Sequence, residues 1–193
     1  MRTDAAGQSA LLMVDVAEVL AARGIPYAVI GAMAAAVHGV VRASLDADAL
    51  LGTQVSVARE LRQDFTAKGY TADLRIGDAD DPIPALLEVT DPFGNRVDLL
   101  VSLRGLDAAA MDRASVVTLS GFPLRVIGRE DFVAMKAHAG GPVDMDRARA
   151  SATECVTMTP NFSIRYFMSK EPFKIAADAE HLAESLRMAG LPD

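Results

Sequence analysis

The order of sequence patterns predicts an α/β (α+β) fold, a mixed β-sheet flanked by helices, with a C-terminal helical segment. Three observations carry that expectation. The first quarter of the chain runs helix, strand, helix, strand; a strand-rich stretch from Tyr70 to Ile127 follows; and the 193 residues, 51% of them apolar, suffice for one compact domain with a real core.

Leu12, Val16, Val19 and Leu20 recur at helical spacing and Gly24 stands where a helix would stop, so residues 9 to 23 read as an amphipathic helix. IPYAVI is a short buried strand. After Gly31 an alanine-rich helix of about two turns runs to His38 and Gly39. A loop holding Arg42 and Ser44 leads to LDADALLG, the next strand. From Val55 to Lys68 good helix formers end in a Lys-Gly pair that closes helices. YTADLRI, ALLEVTD and RVDLLVS are three strand-like runs, the last two joined by PFGN as a tight hairpin. GLDAAAMDRA reads as a short helix, SVVTL and LRVI as strands, and GREDFVAMKAHAG as a helix with Glu130 and Asp131 in its first turn, where acids suit the helix dipole. The expected division is a main domain over 1–150 and a helical or irregular appendage over 151–193. Only Ala176 to Met188 shows helical character in the appendage, because its first half has no clear period.

The net charge of -7 argues against a surface that coats nucleic acid, since affinity for phosphate backbones comes from clustered Lys and Arg. A single cysteine, Cys155, excludes an internal disulfide and a multi-cysteine metal cage, which suits a reducing cytoplasm. Asp15 and Glu18 interrupt the first apolar stretch well short of the ~20 residues a bilayer span needs, so neither membrane anchor nor export signal is expected.

Asp46 and Asp48 are the anomaly in this apolar chain. On a strand, side chains two apart project from the same face, so the two carboxylates are neighbours and repel unless one is protonated or a cation neutralises them. Paired oxygens without nearby Cys or His favour Mg²⁺ or Mn²⁺ over zinc. Asp98, flanked by Val97, Leu99 and Leu100, is a third acid on an otherwise buried strand. If the two strands are adjacent, the three acids converge on a cation cluster able to clamp the attacking and leaving oxygens of an in-line phosphoryl displacement. Upstream, VIGAMAAAV reads as strand, glycine, helix, an arrangement in which backbone can approach a phosphate chain closely. Each piece has a plainer alternative: solvated strand-end acids, a turn glycine, or an Asp98 paired with Arg96 or Arg104.

Together these residues resemble the nucleotidyltransferase superfamily signature of apolar residue, Gly, Gly or Ser, a spacer, then Asp, apolar, Asp or Glu, apolar. Here Ile30, Gly31 and Ala32 are followed by spacer residues 33 to 45 and by Asp46, Ala47, Asp48 and Ala49. More narrowly, IPYAVIGAMAAAVHGVVRASLDADALL looks like the AbiEii-type and minimal nucleotidyltransferases, with their GxxA, HG and R-x-[ST]-x-D-x-D arrangement; VDLLVS resembles their third-carboxylate strand. IGREDFVAMKAHAGGPVDMDRA resembles their later K-x-x-A-x-R-x-K-D-x-x-D segment, so the likeness spans roughly residues 10 to 147.

The resemblance implies Asp46, Asp48 and Asp98 as catalytic metal ligands, with Asp98 helping to activate the acceptor hydroxyl. It implies that Gly31 and Ala32 approach the triphosphate, that Arg42 and Ser44 shape the nucleotide pocket, and that Lys136 and Asp144 occupy the later motif. The sequence departs from the pattern at Ala32, Ala47, Gly141, Val143 and Arg147, with Asp146 one position before the expected acid. Lys136 can equally complement its own helix C-terminus, and His38 reads as a capping or packing histidine.

The implied activity is transfer of an NMP from an NTP, with Mg²⁺ or Mn²⁺, to a hydroxyl on tRNA, a partner protein or a small molecule, in a toxin-antitoxin setting or alone. The competing expectation is a non-catalytic binding module that keeps the fold and acts through protein contacts.

Overall fold

The computed structural model describes residues 3–40, 44–78, 81–106, 108–139, 142–170 and 176–193. Its elements are α1 (Ser9–Ala22), β1 (Tyr27–Ile30), α2 (Gly31–Val37), β2 (Asp46–Leu51), α3 (Val55–Ala67), β3 (Thr71–Ile76), β4 (Ala85–Thr90), β5 (Arg96–Val101), β6 (Ser115–Leu119), β7 (Phe122–Val126), α4 (Arg129–Ala139), α5 (Pro142–Met158), α6 (Ile164–Lys170) and α7 (Ala176–Met188). The seven strands form one mixed sheet in the order β3-β4-β5-β2-β1-β7-β6. Parallel pairs join β2 to β5 and β1 to β7, and the other neighbours are antiparallel. The expected mixed α/β fold is therefore present.

The two faces of the sheet differ sharply. Ala47, Ala49 and Leu51 of β2 lie in register with Val97, Leu99 and Val101 of β5, which pair with Val89, Leu87 and Ala85 of β4, and all nine are buried. In-register neighbours share a face, so these residues form the apolar floor on which the helices pack. Helix α1 covers β2, β5 and β7, while α3 covers β3 and β4. The alternate positions Asp46, Asp48, Glu88, Arg96 and Asp98 project from the other face and are only partly buried.

Helix α1 is enclosed nearly all round, not one-sided as its spacing suggests: Leu12, Met13, Val14, Val16, Ala17 and Leu20 are fully buried. Its first residue anchors the site strands, because Ser9 Oγ donates to the Leu45 carbonyl at 2.6 Å and accepts from the Arg96 amide at 3.2 Å. The β4–β5 hairpin is tied down by its own acid. Asp91 Oδ1 accepts from the amides of Phe93 and Asn95, both at 2.9 Å, and Asn95 Nδ2 donates to Asp91 Oδ2 at 2.8 Å. That clamp sets the register bringing Glu88 opposite Asp98.

GLDAAAMDRA, expected as a short helix, holds a 3-10 helix at Ala108–Met111 among its described residues. By contrast, the stretch around 150–170 that lacks an apparent period holds α5 and α6. The period exists but is carried by small side chains: Ala148, Ala152 and Cys155 are buried at helical spacing, where Leu or Ile would have made it visible. They join Val133, Ala134, Ile164, Leu182, Ala183 and Leu186 in a second, helical core against which α4 packs.

Candidate nucleotide and metal site

The acids of the open face come together through strand register. Asp48 pairs with Asp98 across the parallel β2–β5 edge, and Asp98 with Glu88 across β5–β4; Ile30, just ahead of Gly31, completes the same row from β1. Asp46 lies one row along, opposite Arg96. Strands sit about 4.8 Å apart, so carboxylates from three strands crowd one patch. The pairing of the two acid-bearing strands, which the sequence left conditional, is thus present.

Gly31 is fitted to Asp48. It opens α2 with φ +62°, and a Cβ there would overlap Oδ2 of Asp48 while standing 2.8 Å from its Cγ. Only glycine accepts both the left-handed backbone and the carboxylate resting on its Cα. Ala32, the next residue, is buried at 6% exposure.

Arg96 is the cation at the centre of the cluster, and Arg75 of β3 adds a contact to Glu88, its Nη2 lying 3.5 Å from Oε2. The Arg96 guanidinium donates from Nη2 to Asp46 Oδ2 at 2.8 Å, lies with Nε 3.3 Å from Asp98 Oδ1, and reaches Glu88 Oε2 at 3.7 Å. The Asp98 contact is close but badly aligned, since neither Arg96 Nε nor Asp98 Oδ1 has a hydrogen-bond partner although both atoms are buried. Ser44 Oγ donates to Asp46 Oδ1 at 2.6 Å. The two acids consequently titrate in opposite directions. The Ser44 hydrogen bond, helped by Arg96 and opposed by burial, holds the Asp46 carboxyl below its ordinary value. Burial pushes the Asp98 carboxyl up, Arg96 opposes this, and the charges of Glu88 and Asp46 add to it.

The donor set consists of carboxylate oxygens alone, one of them buried and orphaned, which suits a hard divalent ion. As the side chains stand, however, no group of three His, Cys, Asp or Glu residues among the described residues is gathered closely enough to hold an ion. Arg96 occupies that role.

The remaining sequence candidates divide. Lys136 is half-buried on α4, roughly two turns past its start at Arg129. Arg42 lies outside the described residues; Asp144 falls within α5, with its side chain outside them. His38 is a packing residue, as expected: it is buried, its Nε2 lies 2.8 Å from the Ile127 carbonyl, and its ring tilts against Phe132. Glu88 was missed by the sequence reading. Counting outward from the PFGN turn, Thr90 with Arg96 and Glu88 with Asp98, would have found it.

No protein-family model and no curated protein sequence matches the chain. Solved structures do. An antigenic nucleotidyltransferase-like protein from Paracoccidioides brasiliensis superposes with TM-score 0.51 at 14% identity, covering 99% of this chain and 97% of that one. The crystal structure of ANT(2")-Ia in complex with adenylyl-2"-tobramycin gives TM-score 0.53 at 15% identity, covering 93% and 97%. The solution structure of the antibiotic-resistance factor ANT(2'')-Ia gives 0.52 at 17%, covering 93% and 91%. At such identities the likeness speaks to architecture, and on that footing this chain has a nucleotidyltransferase-like fold.

Proposed function

We propose that the chain is a metal-dependent nucleotidyltransferase that moves a nucleoside monophosphate from an NTP to a hydroxyl acceptor. The observation carrying this reading is the packing of Asp48 against the helix-opening Gly31, in register with Asp98 and two positions beyond Asp46, on the open face of the sheet. Asp46, Asp48 and Asp98 would hold Mg²⁺ or Mn²⁺, which when bound would neutralise the triphosphate and polarise its α-phosphorus. Gly31 admits the Asp48 carboxylate against the start of α2, and the backbone of Gly31 and Ala32 is the stretch the triphosphate would approach. Ser44 keeps Asp46 ionised and oriented, and Lys136 is the candidate cation from α4 for the nucleotide. Asp98, whose carboxyl is pushed upward, is suited to take the proton of the acceptor hydroxyl. The acceptor oxygen bonds to the α-phosphorus as the bond from that phosphorus to the bridging oxygen breaks, and pyrophosphate leaves.

Beyond the trio, the row continues with Glu88 and Asp73. A tRNA, the acceptor that an AbiEii-type toxin would use, needs a basic face; this one is acidic. The face favours a small hydroxyl compound carrying positive charge. A non-catalytic binding module is the second reading, favoured by Arg96 already neutralising Asp46 and Asp98.

Joint addition of Mg²⁺ and NTP at a hundredfold excess over Kd should stabilise the protein by about 2.7 kcal/mol, a Tm rise of roughly 5–10 °C for a chain of this size. Asp46→Asn should abolish the rise. With α-labelled NTP, label should pass to cationic hydroxyl compounds and not to RNA, and Asp98→Ala should lose the transfer. Stabilisation without transfer to any acceptor would favour the binding module instead, and no stabilisation at all would refute the metal-dependent transferase.

A further inference from the structure

We infer that Arg96 is a built-in counter-ion that competes with the divalent cation for its ligands, so that ion and nucleotide bind cooperatively instead of independently. The inference rests on the metal-dependent reading above. Arg96 arises from β5 directly opposite Asp46 and shares its guanidinium among Asp46, Asp98 and Glu88, acids from three different strands. Two of those, Asp46 and Asp98, are the carboxylates an ion would need. The same oxygens cannot satisfy both cations at once, and an ion placed between them would lie within a few ångströms of the guanidinium, where like charges repel.

The arrangement is one the protein can release. The Arg96 side chain is 42% exposed, and its contact with the far less exposed Asp98 lacks hydrogen-bond alignment, with Nε and Oδ1 both left unsatisfied. Its hold on Asp98 is therefore mostly charge, and a single side-chain hydrogen bond, to Asp46, ties it to the ion's ligands. That charge is needed while no ion is bound, because Asp46 and Asp98 would otherwise repel one another on a partly desolvated surface, whereas Glu88 also has Arg75 as a partner. A triphosphate alters the balance twice: its oxygens give the planar guanidinium a bidentate anionic partner and give the ion additional ligands. Whatever factor nucleotide adds to ion affinity, the ion must return to nucleotide affinity.

The test uses the full chain with Mn²⁺ as the probe and α,β-methylene ATP as the nucleotide, read by titration calorimetry and by the electron paramagnetic resonance signal of free Mn²⁺. Arg96→Gln should bind Mn²⁺ alone about tenfold or more tighter than wild type, the scale on which one close charge shifts an ionic equilibrium. The analogue should raise Mn²⁺ affinity strongly in wild type and much less in the variant. Arg96→Met, which keeps the aliphatic stem, is measured alongside so that a folding defect in one variant leaves the comparison intact. If wild type binds Mn²⁺ and neither variant binds it tighter without nucleotide, the role of Arg96 is refuted while the metal site stands. If no protein binds Mn²⁺ with or without the analogue, the metal-dependent reading fails and this inference falls with it.

Discussion

Gly31→Ala is the substitution for which the structure gives the most direct arithmetic. Gly31 has φ +62° and Gly24, just after α1, has φ +63°, but only Gly31 faces another residue: a Cβ at Gly24 meets nothing within 4 Å. Both alanine variants incur the left-handed backbone term, ~1–2 kcal/mol. Gly31→Ala must in addition drive the Asp48 carboxylate off its position, since the new carbon would overlap Oδ2 and stand 3.1 Å from the Asp48 Cβ. Forcing a side chain off its rotamer adds ~0.5–1.5 kcal/mol, and lost packing brings the total to ~2–4 kcal/mol. Against a typical stability of about 5–15 kcal/mol the variant still folds. Urea unfolding of wild type, Gly24→Ala and Gly31→Ala, compared at equal slope, reads the difference directly. The same three proteins are then titrated with Mg²⁺ and NTP, where only Gly31→Ala should lose the joint stabilisation. A Gly31→Ala variant no less stable than Gly24→Ala, with its ligand response intact, would refute the fitted glycine–carboxylate contact.

Three further outcomes are expected. Asp98→Asn should stabilise the free protein at pH 7 by roughly 0.5–2 kcal/mol, because a carboxyl held above its ordinary value contributes stability that is lost as pH rises through that raised value; the gain should vanish in melts at pH below the ordinary carboxylate range. His38, whose pKa is lowered by burial and by Arg129 against the Ile127 carbonyl, Glu130 and Glu154, should make stability fall as pH drops below about 6.5, where the unfolded chain takes up a proton the folded one resists. His38→Gln should flatten that slope in urea titrations between pH 7.5 and 5.5, and an unchanged slope would assign it elsewhere. Asp131→Ala should cost ~3–5 kcal/mol in urea unfolding, since it strips a two-pronged partner, at 2.7 and 2.9 Å, from an Arg113 side chain only 14% exposed; a loss under about 1 kcal/mol would show the pair to be solvated.

The local chemistry of the site was legible in the sequence, because it depends on near neighbours along the chain. Two aspartates separated by one residue on a strand must share a face, a glycine between strand and helix marks a close backbone approach, and the PFGN turn joins two strands whatever else the fold does. The strands themselves were visible from apolar periodicity, as were most helices. Helix α5 was not, because Ala148, Ala152 and Cys155 fill a tight helical interface with small side chains and so leave little hydrophobic contrast. What sequence could not decide was adjacency between segments far apart in the chain. Only the pairing of β2 with β5 sets Asp48 beside Asp98, and only the hairpin register adds Glu88 to the row. The role of Arg96 belongs to the same class. An arginine two positions before an aspartate reads as a possible partner for it, but sharing one guanidinium among acids of three strands is a product of sheet order, since charge acts through space and the chain alone does not say which charges meet.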